Sequence, residues 1–313
     1  MSDQSRTNGV WPVMLTPFTE SKEVDWDGLT ALTEWYLASG VQGLFAVCLS
    51  SEMYDLLDDE RLRVAKHVAS VVDGRAPVFA SGTFGASSVP HSTFVRRMAD
   101  TGVDGVVVIA SQMADEGEGE DVWKESVSRL LDETDADLGI YECPRPYHRL
   151  VASETLKWCA STGRFTFIKD TSCSLATIAQ KIDAVKGTPL RFYNANTATL
   201  LDSLIAGGDG FCGVSANVYP DLHVWLCESF SDRPDDARAL QRFLSVAEKV
   251  VGFNYPGSSK LYLGRRGVAI QPFCRVRDFE YREADLITLD HLGDLADEWR
   301  DRLGVSAAGL RAT

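Results

Sequence analysis

Along residues 10–220 one phrase repeats: a short apolar run, a polar or glycine-bearing turn, then an amphipathic stretch. The runs are Val10–Leu15, Gly43–Val47, Pro77–Ala80, Gly105–Ile109, Leu138–Tyr141, Phe165–Lys169, Leu190–Tyr193 and Gly210–Val214. They lack polar alternation, which is what a strand covered on both faces requires. Helical periodicity falls near 27–38, 58–72, 88–101, 120–133, 153–162, 174–186 and 197–206. Asp58, Ser87 or Ser88, Ser153 and Ser174 stand where a helix cap is wanted. Gly40, Gly74, Gly102, Gly163 and Gly187 follow the helical stretches, where a left-handed residue closes the last turn.

Eight strands alternating with helices, at about 30 residues per unit, predict an α/β protein built as a (β/α)₈ TIM barrel. An open doubly wound sheet would carry a glycine-rich phosphate turn after its first strand, and this strand runs into Thr16-Pro17-Phe18 instead. No Walker sequence occurs, and no G-x-G-x-x-G follows the first strand. Beyond residue 220 the strand signal stops, and 220–230, 234–252, 257–267 and 283–303 read as helices. Pro234 suits a first helical turn and Pro256 breaks the second of these from the third. The expected organisation is a barrel over 10–220 with a C-terminal helical appendage over 221–313.

Composition narrows the partners. The 313 residues are 45% hydrophobic and 24% charged, with a net charge of −14. Such an acidic chain lacks the cationic surface that nucleic acids and anionic membranes select. The first nine residues are polar and no window is apolar enough for a membrane span, so the expected location is cytoplasmic. Seven scattered cysteines, with no C-x₂-C pair, argue against a disulfide framework or a zinc site. Cys48, Cys143 and Cys212 fall near strand ends and read as buried small hydrophobes. The acidic run Glu116–Asp121 lacks calcium-loop spacing and suits a helix start. No metal and no cofactor are expected.

Candidate chemistry centres on Lys169, which ends the sixth apolar run. In a barrel that end faces the catalytic mouth. Burial there disfavours the charged amine and favours a nucleophile toward a carbonyl carbon. The alternative is a lysine that opens the next loop and reaches solvent. Tyr141 ends the neighbouring strand, within reach of a lysine about 4.8 Å away across the sheet. Its phenol can move protons or simply cap the interior. After the second strand, Ser50 and Ser51 offer hydroxyls and backbone amides to a carboxylate, or only a capping turn. Glu142, Arg145, Tyr147, His148 and Arg149 form a polar cluster that can read a distal substrate group, an acidic one on account of the arginines. Tyr193, Asn194 and Asn196 can hydrogen-bond sugar-acid hydroxyls.

Together these segments resemble the pyruvate-dependent class I lyase family typified by dihydrodipicolinate synthase and N-acetylneuraminate lyase. The matching residues are Thr16-Pro17-Phe18, Glu52 with Asp59-Glu60-Arg61, Tyr141 with Pro144, and Ile168-Lys169-Asp170. Gly208-Asp209-Gly210 and Gly213-Val214-Ser215-Ala216-Asn217 complete the series. The resemblance implies a Schiff base between Lys169 and a 2-oxo acid, with Tyr141 as proton shuttle. It also implies Ser50, Ser51, Gly213 and Val214 around the bound acid and a homo-oligomer, tetramer or dimer. Three departures set this chain apart. Leu49 stands where the synthases carry a relay threonine. Ala110–Asp115 contains no second relay tyrosine. Pro146 replaces the arginine that reads the aldehyde substrate, leaving Arg145 or Arg149 to substitute. The expected activity is therefore a Schiff-base lyase or aldolase on pyruvate or a related 2-oxo acid, not an authentic dihydrodipicolinate synthase. Dehydration of a 2-oxo deoxy-sugar acid by the same imine, or a non-catalytic 2-oxo acid binder on a degenerate barrel, are the alternatives.

Overall fold

A computed structural model of the chain describes residues 9–85 and 90–307. The apolar runs become eight parallel strands: β1 Gly9–Val10, β2 Leu44–Ala46, β3 Val78–Ser81, β4 Gly105–Ile109, β5 Leu138–Tyr141, β6 Phe165–Asp170, β7 Arg191–Asn194 and β8 Gly210–Phe211. Their order is β1-β8-β7-β6-β5-β4-β3-β2. Two hydrogen bonds, from Phe45 N to the Pro12 carbonyl at 3.0 Å and from Met14 N to the Phe45 carbonyl at 2.9 Å, join the two ends of that order. A Val13–Phe45 bridge accompanies them, and the sheet closes into the barrel that the pattern predicts.

Three strands are shorter than their apolar runs, β2 by one residue at each end and β1 and β8 by more. Within Val10–Leu15, Pro12 has no N–H to donate, so regular pairing stops at Val10. Gly210–Val214 ends at Phe211 because Val214 already opens a 3₁₀ turn over Val214–Asn217. Gly210 itself is required: its φ is +145°, and a Cβ there would lie 1.8 Å from the Gly9 carbonyl oxygen. That approach lets β8 pair with β1.

The helices between strands are α1 Trp26–Ala38, α2 Asp58–Val72, α3 His91–Ala99, α4 Glu120–Glu133, α5 Ser153–Ser161, α6 Leu175–Val185, α7 Leu200–Ile205 and α8 Pro220–Ser229. All five predicted closing glycines have positive φ, between 70° and 93°. Ser174 caps α6 through the Thr177 amide. Asp58 and Ser153 are instead first helical residues. The Asp58 carboxylate binds Arg61, and the Glu60 side chain accepts from the Leu57 amide at 2.9 Å. Ser87 and Ser88 lie outside the described residues.

Helix α8 packs against β1 and β8 and so belongs to the ring around the sheet. Beyond it come α9 Pro234–Gly252, α10 Gly257–Arg265 and α11 Glu283–Leu303. A buried ion pair, Arg300 with Asp221 at 2.6 and 3.0 Å, ties α11 to α8. Among the described residues no helix is long and apolar enough to cross a membrane. Inside the barrel, Trp11, Phe79, Phe167 and Tyr193 pack ring on ring, with centroids 5.1–5.5 Å apart. Tyr193 thus spends its side chain on the interior rather than on a substrate. Phe45 lies above this layer, edge-on to Tyr141 at 5.5 Å.

Candidate active site

Side chains on a strand alternate between faces. At the ends of β5 and β6 that rule turns Tyr141 and Lys169 inward and Glu142 and Asp170 outward. Tyr141 and Lys169 are direct cross-strand partners, and the Lys169 nitrogen sits 4.3 Å from the Tyr141 ring centroid. Both are buried, Tyr141 at 2% and Lys169 at 5% exposure. Burial raises the Tyr141 phenol well above its usual range, and the nearby thiols of Cys143 and Cys48 push the same way. The phenol therefore keeps its proton at neutral pH. Cys48, Cys143 and Cys212 are all buried, and burial raises Cys212 to about 12.

On the outer side, Lys181 of α6 bonds Glu142 and Asp170 together, fully buried. Glu142 also accepts from the amides of Val151 and Thr171, and Asp170 from Ser172. One cation thus cross-links the two strand ends that carry the inward pair. This corrects the expectation that Glu142 joins a cluster at the mouth. Tyr147 and Arg149 also leave that cluster: Tyr147 donates to the Ala114 carbonyl, and Arg149 binds Glu118 and Glu120.

The turn after β2 is strained. Val47, β-branched, has φ +48°, a conformation costing about 1–3 kcal/mol. It swings Leu49–Ser51 into a 3₁₀ turn over the mouth. Ser50 lines the cavity there. Ser51 does not: its hydroxyl donates to the Met14 carbonyl at 2.6 Å and accepts from the Cys48 amide at 3.0 Å, so it holds the turn rather than a ligand. Glu52 follows and is buried. Its carboxylate binds Lys260 at 2.6 Å and the Val276 amide at 2.8 Å, pinning α10 and the segment beyond it to the site.

These elements enclose a cavity of about 470 Å³ at the carboxyl ends of the strands. Lys169, Tyr141, Ser50, Gly213, Val214 and Arg145 all line it. A Cβ on Gly213 would meet the Ala195 carbonyl at 2.5 Å, so only glycine fits that wall. Asn194 stays outside, because its amide bonds Thr199 and its carbonyl accepts from the Asn196 backbone. Asn196 lines the cavity in its place. Among the described residues no group of three or more His, Cys, Asp or Glu side chains is placed to hold a metal ion.

Residues 6–277 match the family model described as the dihydrodipicolinate synthetase family. The chain belongs to this family. A 4-hydroxy-tetrahydrodipicolinate synthase of Gluconacetobacter diazotrophicus is 27% identical over 259 residues, 82% of this chain and 86% of that one. Among solved structures, YagE of E. coli K12, a prophage protein in complex with pyruvate, gives a TM-score of 0.83 at 22% identity over 93% of this chain and 98% of that one. Dihydrodipicolinate synthase of Thermotoga maritima gives 0.83 at 22%, over 93% and 99%. Members of the family are class I pyruvate-dependent lyases and aldolases that use a catalytic lysine, and this chain is an enzyme of the lyase and aldolase kind.

Several wall residues of this cavity carried no sequence signal. Tyr54, Asp55 and Cys173 lie in loops without a motif. Glu248 sits on α9, whose alternation of apolar and charged positions reads as an ordinary solvated face. It instead accepts from the hydroxyls of Thr197 and Ser215, and burial raises its carboxyl above the usual range. Tyr255 precedes the helix-breaking Pro256, and the break alone was legible. Leu49 lines the wall, and Ala110–Asp115 forms a short turn that brings no phenol.

Proposed function

We propose that the protein is a Schiff-base lyase acting on pyruvate or a related 2-oxo acid, and that it is not a dihydrodipicolinate synthase in the strict sense. The observation that carries this is the Lys169 amine, buried at a strand end and 4.3 Å from the Tyr141 ring. In this reading the Lys169 nitrogen attacks the ketone carbon. The carbonyl oxygen takes up protons and leaves as water, and the protonated imine then draws electrons from the adjacent carbon–carbon or carbon–oxygen bond. Tyr141, held neutral by burial, moves the proton. Ser50, Gly213 and Val214 hold the acid's carboxylate, and Arg145 meets the distal part of the substrate. Leu49 argues against the strict synthase, since an isobutyl group passes no proton. Borohydride trapping with pyruvate, with Lys169→Ala as the blank, tests the imine.

The distal wall favours a second reading on the same imine, dehydration of a 2-oxo deoxy-sugar acid. Glu248, Asp55, Asn196, Thr171 and His148 give that wall hydrogen-bonding groups suited to hydroxyls. A panel of 2-oxo sugar acids separates the two, because cleavage releases pyruvate and dehydration does not. A homo-oligomer, dimer or tetramer, belongs to the same proposal. It is supported by the exposed apolar side chains of Leu57, Ile205 and Val246, and light scattering reads it.

A further inference from the structure

We propose that Glu248 is a specificity-determining residue: it binds a distal hydroxyl of the 2-oxo acid and turns away an acid that carries a second carboxylate there. This rests on the reading of the cavity as a Schiff-base site and adds the residue that sorts its substrates. Glu248 belongs to α9, beyond the barrel, yet it lines the same cavity as Lys169 and Tyr141.

Hydroxyls seat it. Thr197 and Ser215 both donate toward the same carboxylate oxygen, Oε2, and neither of the two lines the cavity. They hold that oxygen against the barrel and leave Oε1 toward the ligand. Behind them, Thr197 Oγ1 lies 2.7 Å from Ser215 Oγ, and Ser215 Oγ lies 2.9 Å from Nε2 of His223. Each hydroxyl has a single proton, which sets the direction of the chain. Thr197 gives its proton to Glu248 and accepts from Ser215, and Ser215 accepts from an Nε2–H of His223. The other ring nitrogen, Nδ1, meets no partner among the described residues, as suits a nitrogen that carries no proton. Thr197, Ser215 and His223 are all fully buried, so the seat is fixed before a ligand arrives.

The seat holds the carboxylate in place without neutralising it. The cation beside it, Lys249, is exposed to solvent, and the seating hydroxyls bring no charge. Asp55 adds another carboxyl to the wall, so the Arg145 guanidinium is outnumbered there. A substrate hydroxyl finds a charged acceptor on this wall, whereas a substrate carboxylate meets like charge.

The test uses matched pairs of 2-oxo acids, five and six carbons long, in which one member ends in a hydroxyl and the other in a carboxylate. Neither member has a hydroxyl at C4, so no cleavage or dehydration follows the imine, and borohydride trapping at pH 8 reads binding and imine formation alone. In the pair long enough to reach Glu248, the hydroxyl member is expected to half-trap wild-type protein at a concentration at least about tenfold below its carboxylate partner. Glu248→Gln keeps an acceptor for Thr197 and is expected to bring the two members within about threefold, with half-trapping by pyruvate changed less than about twofold. Equal trapping of both members of both pairs by wild-type protein overturns the proposal, and that comparison needs no variant. So does a preference that survives Glu248→Gln, or a variant that loses pyruvate together with the longer acids. Wild-type protein that traps no pyruvate at all removes the Schiff-base reading itself, and this inference with it.

Discussion

Replacing Lys181 by methionine removes the single cation that joins the ends of β5 and β6. Lys181, Glu142 and Asp170 are 1%, 0% and 0% exposed, so water replaces none of the lost interaction. Breaking a buried ion pair by truncating one partner costs about 3–5 kcal/mol, because the remaining charge stays buried. Here two carboxylates are left facing each other. Each keeps other donors, the amides of Val151 and Thr171 for Glu142 and the amide and hydroxyl of Ser172 for Asp170, which places the loss near the lower limit. Lys181→Met should therefore lose about 3 kcal/mol in urea unfolding at pH 7, a large share of a typical total of about 5–15 kcal/mol. The deficit also has a pH sign. Burial already raises the Glu142 carboxyl, with Lys181 opposing and Asp170 adding to the rise. Without Lys181 the folded state holds that proton more tightly than the unfolded chain does, so stability falls as pH rises above the unfolded carboxyl range. The variant's deficit should be smaller at pH 5 than at pH 8. A loss under about 1 kcal/mol at pH 7, or one that is flat with pH, refutes the reasoning.

Two further outcomes follow from other parts of the molecule. His223 is fully buried, stacked 4.3 Å from Phe211 and bonded to Ser215, and burial lowers it to about 3. The unfolded chain binds that proton near 6.5, so stability falls as pH drops from 6.5 toward 3, by at most about 1.4 kcal/mol per unit. His223→Gln should flatten that limb of the stability-against-pH curve, and an unchanged slope counts against it. Of the seven cysteines only Cys173 is exposed. A chromogenic disulfide should titrate one thiol quickly in native protein and the rest only in denaturant, and Cys173→Ser should abolish the fast phase; a persistent fast phase refutes this.

The strand and helix count was legible because burial on both faces leaves unbroken apolar runs, while helices keep a polar face. Strand lengths were less so: Pro12 ended β1 early, a consequence of its missing N–H that the apolar run concealed. The inward pair was legible because Tyr141 and Lys169 each end a run, and register then placed them side by side. The outward partners were not. Glu142 and Asp170 follow the same ends, and only Lys181, which α6 returns from eleven residues beyond Asp170, explains them. Ser51 and Ser50 looked equivalent in the turn, but the strained Val47 sends one hydroxyl to Met14 and leaves the other on the cavity. Glu248 and Tyr255 were hidden for a different reason. They reach the mouth from beyond the barrel's last strand, across a contact that no local pattern encodes.

The most direct measurement is the intact mass of the protein after borohydride reduction with pyruvate, followed by peptide mapping. The account predicts one adduct per chain, pyruvic acid less one oxygen atom, on Lys169, and none in Lys169→Ala. An unmodified chain, or an adduct that persists in Lys169→Ala, contradicts it.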